Sequence, residues 1–176
     1  MYLNLTECLK EEVQKGSKSF SWVRTIRRAI KCKDRRFYFW YRIWTYLYQT
    51  NKYGLSHFAK NRMSSLNRKY SIDINPKARI GAGTKIVHFS CIVMRGHTVI
   101  GKNAVIRQGV TIGARRDEDV GFTTIGDNVE IGANSCILGD ISVGHNVTIG
   151  ALTFINKDIP DNSVVYSSKE MFIRSK

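Results

Sequence analysis

The chain has 176 residues, of which 43% are hydrophobic, and a formal net charge of +14. This size and composition predict a globular protein of one domain with an appendage, and they exclude the disordered and fibrous classes. Four widely spaced cysteines, with no C-x-x-C pair, give no sign of a zinc site or a disulfide framework.

Residues 1–70 are predicted to be helical and to carry most of the charge. They hold 16 Lys and Arg against 4 Asp and Glu, contain no proline, and lack strand-like alternation. An anionic partner is therefore expected at this segment. The N-terminus lacks the apolar core of a signal peptide, and no run of about 18 apolar residues occurs anywhere. We therefore expect a cytoplasmic protein.

Two helices are predicted within this segment. Asp34 is expected to cap a helix from Arg35 to about Gln49, whose sequence RRFYFWYRIWTYLYQ is apolar nearly all round. The preceding stretch, WVRTIRRAIKCK, places Trp22, Ile26 and Ile30 on one face and its basic residues mostly on the others.

From residue 71 onward the sequence repeats with a period of six. An isoleucine or valine opens each of thirteen hexads, a series that chance would almost never produce. A shift of two residues is assigned after the fourth hexad, and an insertion of seven after the seventh. The thirteen positions are Ile74, Ile80, Ile86, Ile92, Ile100, Ile106, Ile112, Ile125, Ile131, Ile137, Val143, Ile149 and Ile155.

A period of six suits a prism of short parallel strands, in which three hexads form one 18-residue coil and the aliphatic side chains stack inside. A β-sandwich would instead need alternating polarity and turns at intervals of about 8–12 residues. We therefore predict a mainly β chain, with a helical segment at 1–70, a β-helix at 71–160 and a C-terminal tail at 161–176.

The isoleucine–glycine hexads resemble those of the hexapeptide acyltransferases. The segments SIDINPKARIGAGTKIVH and IGDNVEIGANSCILGDISVGHNVTIGA look similar to serine acetyltransferases, and more similar still to acetyltransferases of surface-polysaccharide gene clusters. This resemblance implies a left-handed parallel β-helix, acetyl-CoA as the acyl donor, and assembly as a homotrimer or a dimer of trimers.

The resemblance also implies that His88 is the catalytic general base and that Asp73 orients it. A carboxylate bonded to one imidazole nitrogen raises the basicity of the other, which can then take a proton from an acceptor hydroxyl. The serine enzymes have Asp before this histidine and a second histidine on an extended loop, where this chain has Val87 and Phe122. Free serine is therefore disfavoured as the acceptor.

Further site residues follow from the same resemblance, which places CoA in a groove between subunits. The predicted CoA contacts are Gly113, Ala114, Gly132, Ala133 and Lys157. Arg115 and Arg116 on the extended loop, together with His97 in the two-residue shift, are suited to bind sugar hydroxyls. Only His88 and His97 among the histidines could line one cleft, so no metal site is expected.

We therefore predict an acetyl-CoA-dependent O-acetyltransferase that acts on a sugar hydroxyl of a surface polysaccharide or its precursor. A small-molecule O-acetyltransferase of the serine type and a non-catalytic, membrane-associated trimeric scaffold remain as alternatives. Residues 20–50 have two open interpretations: peripheral docking on the inner face of the cytoplasmic membrane, or packing between subunits. No RNA-binding motif is present, so a nucleic-acid partner is not expected.

Overall fold

The computed structural model describes residues 4–16, 19–114 and 121–168. Its N-terminal segment is helical. Its helices are α1 (Leu5–Leu9), α2 (Trp22–Lys31), α3 (Lys33–Thr50) and α4 (Ser56–Tyr70), with a π-helical turn at Lys10–Gln14 and a 3₁₀ turn at Lys52–Gly54. Because α3 begins two residues earlier than predicted, Asp34 lies in its first turn and does not cap it. Among the described residues, none of the helices has the length and apolarity needed to cross a bilayer.

The described residues after α4 form short strands. These are β1 (Ile72–Ile74), β2 (Arg79–Ile80), β3 (Lys85–Val87), β4 (Ile92–Met94), β5 (Thr98–Ile100), β6 (Val105–Arg107), β7 (Thr111–Gly113), β8 (Thr123–Ile125), β9 (Glu130–Ile131), β10 (Cys136–Leu138), β11 (Ile141–Val143), β12 (Thr148–Ile149), β13 (Phe154–Ile155) and β14 (Val164–Val165). Strand β14 lies within the segment predicted as a C-terminal tail, so regular structure extends beyond the predicted boundary at residue 160.

Three parallel sheets form the faces of a triangular prism. The first sheet has the order β1-β4-β7-β10-β13, the second β2-β5-β8-β11, and the third β3-β6-β9-β12-β14. Successive strands from β1 to β13 belong to the first, second and third sheet in turn, so that three strands complete one coil. Between β13 and β14, an isolated bridge of Ile159 with Val143 takes the place of a strand in the second sheet. The prediction of a parallel β-helix is therefore confirmed.

Side chains from all three sheets fill the interior of the prism. Each of the thirteen predicted hexad positions is at most 8% exposed. Parallel pairing places these residues above one another, as in the series Ile106, Ile131 and Ile149 of the third sheet. Such a dry, stacked core is the main source of stability for the prism, because each coil alone cannot enclose its own apolar face.

The strand register corrects one detail of the predicted repeat. In the first sheet, Ile74 pairs with Met94, and Met94 pairs with Ile112, so Met94 occupies the ladder position that the sequence assigned to Ile92. The two extra residues therefore lie in the corner between β3 and β4, and not in the corner that contains His97. Ile92 is still buried, because it pairs with Ile72 at the inner side of the same sheet.

The helical segment covers the open end of the first coil. Arg42 of α3 donates hydrogen bonds to the carbonyl oxygens of Ile80 (2.6 Å) and Gly81 (2.8 Å). The same guanidinium forms a two-pronged, fully buried ion pair with Glu12. These bonds satisfy strand carbonyls that have no preceding coil to pair with.

Other side chains of the helical segment extend this capping. The hydroxyl of Tyr38 accepts a 2.7 Å hydrogen bond from the backbone N–H of Ile86, and the amide of Gln49 donates to the carbonyl of Ala78. Much of the aromatic sequence of α3 is thus buried within its own chain. Phe37 and Tyr41 are nearly inaccessible to solvent, whereas Trp40 of the same helix is 40% exposed.

Candidate active site

His88 lies at the corner between β3 and β4, where the chain has its two extra residues. Its backbone has a φ of 63°, in the left-handed region that few residues other than glycine adopt, and its side chain is exposed. No role for the next residue, Phe89, follows from the sequence pattern. Its ring turns inward and packs 4.7 Å from Phe37 and 5.3 Å from Tyr70. This aromatic anchor fixes the corner that presents the imidazole of His88 to solvent.

Asp73 lies in the middle of β1 and faces outward from the first sheet. Its neighbours Ile72 and Ile74 are buried, and Asp73 itself is exposed. In the part of the chain that the structure describes, no hydrogen bond or ion pair joins the Asp73 carboxylate to the His88 imidazole. The orienting role of Asp73 therefore stays a prediction.

A cavity of about 750 Å³ lies between the C-terminal end of α3 and the prism. His97 and Phe122 line it, with their ring centroids 5.2 Å apart. Lys77 and Arg79 supply positive charge, and no carboxylate belongs to its described lining. The amide of Gln49 forms part of the wall and is held by the edge of the first coil. The cavity is therefore suited to a polar ligand that carries oxygen atoms or negative charge.

The predicted site residues lie on two different edges of the prism. The base edge, where the third sheet meets the first, holds His88 and, two coils further along, Gly132 and Ala133. The cavity edge, where the first sheet meets the second, holds His97, Gly113, Ala114 and the exposed Lys157. The face of the first sheet, with Asp73, separates the two edges. A single chain therefore does not bring His88 to the cavity.

Arg115 and Arg116, predicted to bind the acceptor, lie outside the described residues. Gly132 has a structural reason for its identity, because a Cβ atom there would come within 2.4 Å of the backbone nitrogen of Ala151 in the next coil. At Gly113 a Cβ atom would lie 2.7 Å from the Arg95 side chain, and φ is 155°. The close packing of successive coils, as well as contact with a cofactor, can therefore account for both glycines.

The chain is similar to known proteins in its repeat, in its sequence and in its fold. Residues 122–157 match the family described as bacterial transferase hexapeptide (six repeats). Serine acetyltransferase 1 of Arabidopsis thaliana is 37% identical over 131 residues, which cover 74% of this chain and 41% of that protein. A putative colanic acid biosynthesis acetyltransferase of Escherichia coli K12 is 40% identical over 100 residues, covering 57% of this chain and 62% of that protein. The chain thus matches less than two thirds of either relative.

Solved structures of serine acetyltransferases are similar to this chain over more of its length than the sequence relatives are. Serine acetyltransferase isoform 3 of Entamoeba histolytica, in complex with cysteine, superimposes with a TM-score of 0.77 and 28% identity, covering 98% of this chain and 61% of that one. The Neisseria gonorrhoeae serine acetyltransferase in complex with serine gives a TM-score of 0.71 and 29% identity, covering 93% and 67%. The predicted fold class, a left-handed parallel β-helix with an N-terminal helical segment, is confirmed.

Proposed function

The chain belongs to the hexapeptide-repeat transferase family, and on this basis we propose that it transfers the acetyl group of acetyl-CoA to a sugar hydroxyl of a surface polysaccharide or its precursor. The observation that best supports an enzymatic role is the corner at His88. An exposed imidazole stands there on a left-handed backbone, next to the partly buried ring of Phe89. Other corners of the prism, such as those at Asn103 and Asn128, also contain a left-handed residue, but at this corner the residue carries an imidazole that can accept a proton.

In the proposed reaction, the neutral imidazole of His88 accepts the proton of the acceptor hydroxyl. The hydroxyl oxygen forms a bond to the thioester carbonyl carbon of acetyl-CoA, and the carbon–sulfur bond then breaks. The departing CoA sulfur takes the proton back from His88, which leaves an acetyl ester, free CoA thiol and an unchanged enzyme. Asp73 would orient the imidazole and stabilise its protonated form.

We assign the acceptor to the cavity at His97. Lys77 and Arg79 can bind the oxygen atoms of a glycan, and the aromatic ring of Phe122 offers an apolar surface on which a sugar ring can pack. Val87, directly before His88, provides no carboxylate for the ammonium group of a free amino acid. The relative from colanic acid biosynthesis supports an acceptor of this class.

The two-edge arrangement requires a second copy of the chain to complete the site. If the base edge of one subunit faces the cavity edge of the next, each interface brings one His88 to one cavity. Such head-to-tail contacts close into a ring when the rotation between subunits is right, and three copies of a triangular prism form the simplest ring. The glycines and Lys157 predicted to bind CoA would then line the same groove from opposite sides.

We expect the protein in solution at micromolar concentration to have the mass of a trimer or a dimer of trimers, because only an oligomer completes the site. Light scattering coupled to size-exclusion chromatography measures this directly. A monomeric mass together with full activity would contradict the shared site.

Mixed oligomers test the sharing itself. His88→Asn removes the base, and His97→Trp places a larger ring in the cavity beside Phe122, where it should obstruct the acceptor, so each variant alone should lose most of its activity. When the two variants are expressed together, some interfaces combine an intact His88 with an intact cavity, and activity should return. If co-expression restores nothing although mixed oligomers form, the site is not shared.

A serine acetyltransferase is the second candidate, because the solved neighbours that superimpose on this chain are named as serine acetyltransferases. Release of the CoA thiol from acetyl-CoA distinguishes the candidates. We expect release of the CoA thiol to require glycan from the surface polysaccharide of the organism that makes this protein, and to be absent with L-serine. Release with serine alone would establish the second candidate, and no release with either acceptor would favour a non-catalytic scaffold.

A further inference from the structure

The apolar stripe of α2 lies on the outside of the molecule. Its side chains are between 43 and 67% exposed: Trp22, Val23, Ile26 and Ile30. The part of α2 that packs on the rest of the chain carries the small side chains of Thr25 and Ala29. An amphipathic helix of a globular protein normally buries its apolar stripe. A contiguous exposed stripe of this kind marks an interaction surface.

A second exposed group lies between α3 and α4. The ring of Trp40 stacks on Trp44 at 5.3 Å, and the half-exposed ring of Phe58 packs 5.7 Å from Trp44. The guanidinium of Arg62 lies over Trp44 at 5.8 Å. Trp40 and Trp44 border a groove of about 170 Å³, and no acidic side chain belongs to its described lining.

Arg36 connects the two exposed groups. Its guanidinium donates hydrogen bonds to the carbonyl oxygens of Ala29 and Ile30, at the end of α2. The same side chain lines the groove beside Trp40. The end of the α2 stripe is therefore adjacent to the aromatic groove. Lys69 adds a further cation to the groove.

We propose that these two groups form one surface that rests on an anionic lipid bilayer. This lipid-facing surface consists of the exposed α2 stripe, the rings of Trp40, Trp44 and Phe58, and the cations Arg36, Arg62 and Lys69. Aromatic rings favour the headgroup region, and aliphatic side chains penetrate just below it. Each Lys or Arg near an anionic surface strengthens the attachment through its charge. The prism then stands off the membrane, with the helical segment between them.

The charge of the surface favours lipid over the other occupants. In a two-fold contact with a second copy, the same cationic patch would face itself, and like charges would be brought together without counter-ions. A nucleic acid could neutralise the cations, but its charged backbone would not bury the exposed aliphatic side chains of Val23, Ile26 and Ile30. An anionic bilayer satisfies both the charge and the aliphatic side chains.

Co-sedimentation of the intact chain with vesicles tests the proposal. We expect binding to vesicles of phosphatidylcholine with phosphatidylglycerol, no binding to pure phosphatidylcholine, and release by salt. Ile26→Ser and Trp40→Ala should each weaken the partition coefficient about tenfold, as expected when one large apolar contact with the bilayer is lost. Tryptophan fluorescence should shift to shorter wavelength with anionic vesicles.

Tyr166→Ala is the matched control, because Tyr166 is a similarly exposed aromatic residue (74%) at the far end of the prism. It should leave vesicle binding unchanged. All variants should retain the circular dichroism spectrum of the parent, which would show that the helical segment still folds. The proposal is overturned if the parent stays in the supernatant at low salt, or if Tyr166→Ala weakens binding as much as Trp40→Ala. It is also overturned if Ile26→Ser changes the oligomeric mass or RNA binding but not vesicle binding.

Discussion

We expect His88→Ala to lower turnover by at least about 100-fold, the usual effect of removing a positioned general base. Without the imidazole, the acceptor hydroxyl would have to attack the thioester while keeping its proton. Acetyl-CoA binding should change little, because His88 transfers a proton during the reaction and is not among the residues predicted to bind CoA. Initial rates of thiol release and a direct measurement of acetyl-CoA affinity give both quantities.

Two further variants separate catalysis from backbone effects at this corner. His88→Asn also lacks the base, but asparagine tolerates the left-handed conformation that His88 adopts at φ 63°, so the corner should be preserved. His145→Ala is the matched control, because His145 is an exposed corner histidine whose Nδ1 accepts a hydrogen bond from the backbone N–H of Asp127 and lies near the carboxylate of the same residue. Near-normal turnover in either His88 variant would remove this residue from the mechanism.

Arg42→Met should lower the free energy of unfolding by about 3–5 kcal/mol, the usual cost of breaking a buried ion pair from one side. The substitution leaves Glu12 buried without its partner and removes the Arg42 donor from the carbonyl of Ile80, whereas the carbonyl of Gly81 keeps the hydroxyl of Thr84 as a donor. Burial already raises the pKa of the Glu12 carboxyl, and the Arg42 guanidinium opposes that rise. Without Arg42, the backbone N–H groups of Thr84 and Gly83 still oppose the burial effect, but the opposing positive charge is lost, so Glu12 must bind a proton or the helical segment must detach. Urea unfolding followed by circular dichroism measures the loss.

The double variant Arg42→Met with Glu12→Gln should recover part of that loss, because no buried charge is left. Comparison of the two single variants with the double variant gives the coupling energy of the pair. A single-variant loss below about 1 kcal/mol, or a double variant no more stable than Arg42→Met, would contradict the role assigned to the pair. Lys102→Met is the control, since the ion pair of Lys102 with Glu7 is exposed and should contribute little.

The β-helix could be predicted because each of its coils repeats the same physical requirement. An interior position must be aliphatic in every coil, so a single chain contains thirteen examples of the same constraint. The place of the two-residue shift could not be predicted in the same way. Ile92 and Met94 are both buried, and only the pairing of Met94 with Ile74 identifies the ladder position. Hydrophobicity alone cannot distinguish these two registers.

The helical segment was predicted as helical, but the orientation of its faces was not. The α2 stripe of Trp22, Ile26 and Ile30 follows the pattern of a buried face and is nevertheless exposed. In α3, the aromatic residues that cap the first coil and those that face solvent look alike in the sequence. The division depends on tertiary contacts, such as the hydrogen bond between Tyr38 and Ile86, that have no local signal.

The candidate site was predicted residue by residue but not as an arrangement in space. His88 and His97 are nine positions apart in the chain, and the sequence suggested that both could line one cleft. In the structure they lie on different edges of the prism, because a strand of the first sheet, β4, separates them. The edge on which a residue lies depends on how many corners precede it in the chain. Because the sequence placed the two-residue shift at the corner of His97 instead of the corner of His88, this number could not be read correctly.

The parallel stacking of the coils also governs how such a chain can change its length during evolution. Thr123 pairs with Ile141, one 18-residue coil later, so a one-residue insertion within a strand would turn the following residues of that strand from inside to outside. Residues added at a corner have no such effect: the ladder resumes at Ile125 after the seven-residue insertion between β7 and β8. The corners at His88 and Phe122 can therefore diverge in length and composition while the core stays constant. Acceptor specificity can thus evolve in this fold without loss of stability.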